Sequence, residues 1–401
     1  MAVWKRNLII LWISLFVTSA GLSSVVPFLP LFIRELGITS VGEVARWSGL
    51  AFSAPYLLTF FVTPVWGAMG DRYGKKLMIE RALYGLCIAL VLIGFSQNVY
   101  QLIFFRLLQG LLSGFYPASM ALAAAQAPPD KTTYSLGAIQ SANISGNIIG
   151  PLIGGTLSDL VGYREVFILC GLLSGVLAII NTYLLDDRTP RIKGGSLFDF
   201  VDNWKEVLKS KYLIFMGVVI VLAAFGDSFV RPTFVLLVET LAVPKARLSS
   251  VTGILLSIEG FGAALSSVFL ARRAGSWNPW RALGTSFLIM TAANFIQAEL
   301  YIVFPYLPVR FILGLAYGMV FPILFAQLLS RVEKQKQGGF MGIGSSLQTL
   351  GYFTGPVAAG IFASVAGFRG CFVITGIIFA LLSLIFFMKK TGRSTASPAL
   401  K

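Results

Sequence analysis

Five ionisable side chains and one amide stand inside long apolar runs: Arg106 with Gln109, Asp227 with Arg231, Glu259, and Arg310. A charge in hydrocarbon costs several kcal/mol unless it is paired, so it is seldom placed there without a use. Asp227 and Arg231 are four residues apart and share a helical face, where they can neutralise each other. The same acid can carry a proton, with Arg231 keeping it ionised until substrate or a conformational change separates them. Glu259 has no partner nearby in the sequence. Left unpaired, it is a candidate proton acceptor near neutral pH, or a group that draws cations into a wet cavity. Arg106 can be a structural hub that donates to helix carbonyls, or a functional group working with Gln109 one turn later. The first apolar run holds no acid before Glu35, which shifts any coupling site towards the second half.

Much chemistry is excluded. The chain has no histidine, which removes the usual metal ligand and the usual proton relay. Cys87, Cys170 and Cys371 sit in apolar runs without CxxC spacing, so no metal centre or disulfide framework is expected. No GxxxxGK[ST] loop and no nucleophile–base constellation is present. The reading is a non-enzyme without a cofactor, drawing on an ion gradient.

The elements that must hold these residues are membrane helices. The 401 residues are 56% hydrophobic and 12% charged, with a mean hydropathy of +0.80. Soluble domains carry about a quarter charged residues. Apolar runs broken by Gly, Pro or charge predict twelve helices: 8–33, 46–69, 77–95, 100–124, 134–158, 163–184, 212–238, 248–271, 280–300, 304–330, 339–363 and 368–388. The Trp4-Lys5-Arg6 start resembles a signal peptide, but the apolar stretch after it is too long for one and is read as a retained helix. The expected organisation is a six-helix bundle over 1–185, a cytoplasmic linker over 186–211 with a short amphipathic helix near 197–208, and a second six-helix bundle over 212–401.

The formal charge is +15. With the N-terminus inside, the cytoplasmic segments hold 23 of the 32 Lys and Arg residues and the external segments hold 6. That bias places both termini in the cytoplasm and accounts for the basic excess without nucleic acid. The halves also repeat. An offset of 205 residues aligns Pro27 with Pro232, Gly146 with Gly351, and Gly150-Pro151 with Gly355-Pro356. It also aligns Gly162-Tyr-Arg-Glu-Val-Phe167 with Gly367-Phe-Arg-Gly-Cys-Phe372, while Arg106 falls within one residue of Arg310. Six-helix repeats with a midplane site between them are a transporter signature.

Three segments carry a family resemblance. The loop after helix 2 reads Gly67-Ala-Met-Gly70-Asp71-Arg72-Tyr-Gly74-Lys75-Lys76. Helix 4 reads Arg106-Leu-Leu-Gln109-Gly110, and helix 5 reads Gly146-Asn-Ile-Ile-Gly150-Pro151-Leu-Ile-Gly154-Gly155. Together they resemble the major facilitator superfamily over essentially the whole chain, and most closely its twelve-helix drug/proton antiporters. In the loop, the glycines allow a tight turn and Asp71 could pair with a cation on another helix. Such a pair would be a latch that breaks when the cytoplasmic side opens. The matching loop Ala271–Ser276 lacks the acid. The helix 5 glycines permit close helix approach. The resemblance adds the antiporter association of that motif and a proton-coupling role for Arg106.

The resemblance implies a multi-pass protein of a bacterial inner membrane that acts as a monomer. Its partners would be protons, lipid and a small-molecule substrate. The function expected is proton-coupled export of lipophilic or cationic drugs by alternating access. The cavity would lie between helices 1, 4, 5, 7, 8, 10 and 11, with Phe115, Tyr116, Phe229, Phe261, Tyr317 and Tyr352 among its aromatic lining. Two rivals share the fold: an exporter of one endogenous metabolite, such as a siderophore, amino acid or sugar derivative, and an uncoupled facilitator or importer. A membrane sensor or scaffold is disfavoured, because no soluble domain is appended.

Overall fold

The computed structural model describes residues 2–187, 205–267, 278–333 and 336–388. These residues are overwhelmingly helical. In chain order the helices are α1 (Val3–Ser24), α2 (Leu29–Glu35), α3 (Val41–Tyr73), α4 (Lys75–Gly94), α5 (Val99–Leu111), α6 (Phe115–Gln126), α7 (Thr132–Val161) and α8 (Tyr163–Leu184). The second half continues with α9 (Lys211–Phe229), α10 (Arg231–Glu239), α11 (Leu248–Leu265), α12 (Pro279–Glu299), α13 (Tyr306–Leu329) and α14 (Gln337–Met388). Nine described segments are long and apolar enough to cross a membrane. One of them, the 50-residue Gly339–Met388, is long enough to cross twice and is broken at Gly367, where φ is 67°. With α7 and α14's two parts counted beside α12, the described chain forms the twelve crossings expected. The expected loop at 271–276 and residues 188–204 of the linker lie outside the described residues, while 205–209, covering the end of the expected amphipathic helix, are helical.

Several predicted crossings are interrupted. The runs 8–33 and 212–238 each split in two, at Val25 and at Val230. Each break comes two residues before a proline, Pro27 or Pro232, which lacks the backbone donor that would continue the helix. Helix 4 also splits, where Gly114 takes φ 119°. Gly162 (φ 104°) separates α7 from α8 in the way that its repeat partner Gly367 divides α14.

The repeat is physical as well as textual. Ser23 Oγ donates to the Gly146 carbonyl at 3.2 Å, and Ser228 Oγ donates to the Gly351 carbonyl at 3.2 Å. Arg164 donates to the Gly94 and Ser96 carbonyls, and its equivalent Arg369 donates to those of Ala298 and Leu300. Each arginine thereby satisfies carbonyls at and just beyond a helix C-terminus that have no helical partner. This explains why Gly-aromatic-Arg recurs in the sequence.

The halves meet along two seams, α3 with α14 and α7 with α11. A Cβ on Gly49 would stand 2.2 Å from the Pro356 carbonyl oxygen, and one on Gly253 would stand 2.2 Å from that of Pro151. Backbone touches backbone at both places, which only glycine permits. Polar contacts reinforce one end of the bundle, the end away from the α3–α4 turn. Arg34 Nη1 lies 2.6 Å from Glu239 Oε1. Asp159 Oδ2 accepts from the Ser250 N–H at 2.8 Å and from its hydroxyl at 2.6 Å. Arg34 and Glu239 are 205 residues apart, so repeat-equivalent positions meet with opposite charge.

Glu239→Lys sets like charges against each other at this end. The pair is partly exposed, and such pairs contribute about 0.2–1 kcal/mol. Cysteine accessibility at the closed end should therefore rise by less than about fivefold, and the Arg34→Glu/Glu239→Arg exchange should restore it. Gly253→Leu, which forces backbone apart, should open the same end much further.

Candidate functional site

The breaks at Val25 and Val230 divide each crossing into a long and a short helix, and the site is built around the second of them. Asp227 ends α9 and Arg231 begins α10, so the break falls between the two charges. Arg231 Nη2 still reaches Asp227 Oδ2 at 2.7 Å. The chain supplies a second pair from farther away. Arg310 of α13 donates to Glu259 of α11 in a short, charge-assisted hydrogen bond. Glu259 is therefore not the lone carboxylate expected from its sequence surroundings. Its partner is 51 residues distant, a contact that only the packing of α11 against α13 makes. Close approach of these helices comes from Gly314, whose Cβ position would be 2.0 Å from the Glu259 carbonyl oxygen. Arg310 also lies 3.6 Å from the ring centroid of Phe234, a cation–π contact.

Both pairs line one cavity of about 370 Å³, within the range of small-molecule sites. Towards the closed end it is bounded by Phe234 and Arg310. Towards the other end it runs to Gln140, Ser267 and Pro322. Most of the wall comes from the second half, through α9 to α14. The first half adds Ser23 and Val26 beside α1, and Gln140, Ile144, Asn147, Ile148 and Pro151 of α7. Aromatic and aliphatic groups dominate, including Tyr317, Phe321 and Phe379. The four charges are two acids and two arginines, so the lining is neutral overall when each pair is formed.

The other expected residues separate into groups. Arg106 and Gln109 bond each other at 3.2 Å and are buried in the first half, with Arg106 6.0 Å from the Phe167 ring. They are not part of this cavity wall. Tyr317 is in the wall, and Tyr352 adjoins it through a 2.9 Å hydroxyl–hydroxyl bond. Tyr116 bonds the wall residue Gln140. Phe115 is instead packed into the core with Leu122 and Ile139, and Phe229 is buried against Val44 and Ala359. Phe261 faces outward, 51% exposed, against Phe311. A helix centre does not define a helix face, which is why these three aromatics fall elsewhere. The wall draws on helices 1, 5, 7, 8, 9, 10 and 12, rather than on the expected helices 4 and 11. Sequence reasoning missed Gln140, Asn147 and Asn294, and an amide within an apolar run was the available signal.

In helix 5 the glycines divide their work. Gly146, Gly150 and Gly154 each bring α7 against α1, where a Cβ would meet the backbone of Phe16, Ala20 or Ser24 within 2.1–2.5 Å. Gly155 and the Pro151 carbonyl face α11 of the other half. One motif thus packs its own half and also forms the seam between halves. In the loop motif, Asp71 is 54% exposed and pairs with Lys75 at 3.3 Å, rather than with a cation on a distant helix. A different acid reaches the turn. Asp187 accepts from the Lys76 N–H at 3.1 Å, at the start of α4 where orphan amides and the helix dipole favour an anion. Gly67 and Gly70 leave room for a small pocket beside Arg81, which lies over Trp66 at 3.7 Å. Arg72 lies against Tyr73.

The family model of the Major Facilitator Superfamily matches residues 11–296 and 216–401. The chain belongs to the Major Facilitator Superfamily. It is a multi-pass membrane transport protein and not an enzyme. It is 33% identical over 385 residues to the "Multidrug resistance protein MdtG" of Yersinia enterocolitica, covering 94% of this chain and 91% of that one. The protein of the same name from Escherichia coli K12/DH10B is 30% identical over 376 residues, covering 93% and 91%. Among solved structures, a bacterial homologue of the lysosomal transporter Spinster, inward-facing and occupied, aligns with a TM-score of 0.80 at 15% identity, over 96% of this chain and 97% of that one. The human organic anion transporter MFSD10 aligns with a TM-score of 0.71 at 18% identity, over 96% and 100%.

Glu259→Gln strands Arg310, which is only 4% exposed, without its anion. Removing one partner of a buried pair costs about 3–5 kcal/mol, and the wet cavity should reduce that. Thermal unfolding in detergent should therefore move down for Glu259→Gln, while Glu259→Gln/Arg310→Met should recover most of the loss. Non-additivity in this cycle measures the pair.

Proposed function

We propose that the protein exports lipophilic or cationic compounds in exchange for protons. The observation that carries this reading is the placement of two carboxylate–arginine pairs, Asp227–Arg231 and Glu259–Arg310, in the wall of a largely apolar cavity between the halves. The apolar wall suits lipophilic substrates with little hydrogen-bond readout. A carboxylate that accepts a proton releases its arginine, so each pair has two discrete states. The names of the MdtG relatives support drug export.

The direction of transport follows from charge. With both termini in the cytoplasm, the orientation that the distribution of basic residues favours, the end closed by Arg34–Glu239 and Asp159–Ser250 faces outward. The cavity then extends towards the cytoplasm, ready to load. The cycle runs in four steps. Substrate enters from the cytoplasm and favours the ionised acid. The seams re-form on the inner side and the outer contacts part. A proton from outside neutralises Asp227 or Glu259 and weakens the hold on a cationic substrate, which leaves. The protonated carrier returns and releases its proton inside. Arg106 and Gln109 support the first half during this exchange, and one chain forms the whole pathway, so a monomer suffices. The six-helix units 1–185 and 212–401 would move as the two bodies, joined by the 186–211 linker. In a bacterium the membrane is the inner one, where a proton gradient is available.

Proteoliposomes with an imposed pH gradient test this reading. Internal pH and the movement of fluorescent lipophilic cations and neutral dyes would be followed together. Substrate and proton flux in opposite directions is expected for several unrelated dyes. Asp227→Asn should lower the coupled flux by at least about tenfold, the effect of about 1.4 kcal/mol in the coupled state. Intact proton-linked export in both Asp227→Asn and Glu259→Gln would sink the scheme. Movement of one compound class alone would favour a dedicated metabolite exporter, and movement unaffected by the gradient would favour a facilitator.

A further inference from the structure

The α3–α14 seam runs from the closed end into the cavity region through a line of paired positions. Gly49 meets Pro356 at the closed end. One turn deeper, Ser53 Oγ donates to the Phe353 carbonyl at 2.7 Å. At the next step the rings of Tyr56 and Tyr352 lie 5.5 Å apart. Here the charged site begins. Tyr352 has its ring 5.7 Å from the Arg231 guanidinium and its hydroxyl 2.9 Å from that of Tyr317. Gln348 Nε2 donates to the same hydroxyl at 3.3 Å. Tyr56 belongs to the first half and interacts electrostatically with Arg231 across the seam and with Arg106 within its own half.

We infer that Tyr352 is a positioning residue that couples the Asp227–Arg231 pair to the seam between the halves, with Tyr56 as its counterpart on the first half. The physical argument is one of shared contacts. The groups facing Asp227 are Arg231, Glu259, Tyr317 and Tyr352. When Asp227 takes a proton, Arg231 loses its anion and its remaining attraction is to aromatic faces and hydroxyls. Of Tyr317 and Tyr352, it is Tyr352 whose ring lies against one from the opposite half among the described residues. A changed position of Arg231 must therefore be felt by Tyr352, and a displaced Tyr352 ring must be felt by Tyr56 and the Ser53–Phe353 bond beside it. The reverse holds too. Opening the seam removes Tyr56 from Tyr352 and changes how well Arg231 is held. Two sites that bias one element in this way are coupled reciprocally. No other aromatic pair among the described residues links the charged cavity wall to the first half in this manner.

This inference rests on the proton-linked reading above, and its test separates the two. Spin labels at Leu160→Cys and Val365→Cys report the closed end. Both positions are outside the site, on opposite halves, and 81% and 85% exposed. In a background lacking the three native cysteines, distance distributions in lipid nanodiscs would be recorded across pH, without substrate. The parent protein should shift its population between closed and open with pH, and Asp227→Asn should abolish that response. Tyr352→Leu should reduce the amplitude of the response at least threefold, by about 0.65 kcal/mol or more. Tyr56→Leu, from the other half, should do the same, which guards against misfolding of either variant. Tyr352→Phe keeps the ring on Arg231 and loses only the hydroxyl bonds, so it should retain the amplitude with a shifted midpoint. A merely structural tyrosine would change the population equally at every pH. If the parent and Asp227→Asn behave as expected but both leucine variants titrate like the parent, the coupling role is wrong. If the parent shows no pH response, the proton-linked reading fails and this inference fails with it.

Discussion

Two halves can slide or rock against each other only where their backbones come close enough to leave no gap and no unpaired polar group. This protein achieves that with glycine against carbonyl, Gly49 against Pro356 and Gly253 against Pro151. A side chain at either glycine would separate helices that now touch, and everything between the seams depends on that distance. The cavity is lined by residues of both halves, with Ser23, Val26 and α7 facing the second half. Hydrogen bonds and ion pairs at the closed end, such as Arg34–Glu239, are partly exposed and contribute less than the packing they accompany.

The same economy of partners governs the charges. Hydrocarbon offers nothing to a lone carboxylate or guanidinium, so Asp227 takes Arg231 and Glu259 takes Arg310. A pair formed within one half leaves that half electrically complete whatever the other does. The halves can then separate without exposing an unpaired charge. Beside Arg231, contact with the opposite half is made by Tyr352 against Tyr56, which are apolar enough to part at low cost and polar enough to respond to Arg231.

Duplication explains much of the architecture and also its asymmetry. Equivalent serines bond equivalent glycines, equivalent arginines satisfy equivalent helix ends, and equivalent prolines interrupt the first and seventh crossings. Charge has diverged where symmetry would be harmful. Arg34 and Glu239 occupy matching positions that meet each other, and two like charges there would repel. The two acid–arginine pairs of the cavity wall sit in the second half. Arg106, the near-equivalent of Arg310, has the amide of Gln109 instead of a carboxylate.

Much of this was legible in the residues by themselves. Twelve crossings, the internal repeat and the buried charges follow from hydrophobic length, offset matching and the cost of ions in lipid, all local or periodic properties of a chain. The Asp227–Arg231 pair was legible because four residues make one helical turn. The partner of Glu259 was not, since Arg310 is on another helix and no spacing rule links them. Nor could the sequence say which aromatics face the cavity. Phe229 and Phe261 lie well inside the crossings read from the sequence, as Tyr317 does, and which way each side chain faces separates them. The turn motif shows the same division. Its glycines announced a tight turn, but the acid at the α4 amides is Asp187, brought there by the end of α8. What a residue is, and how far it stands from its neighbours along the chain, determined the crossings. Which residues meet was decided by helix packing, because contacts between helices depend on rotation and depth that no single helix encodes.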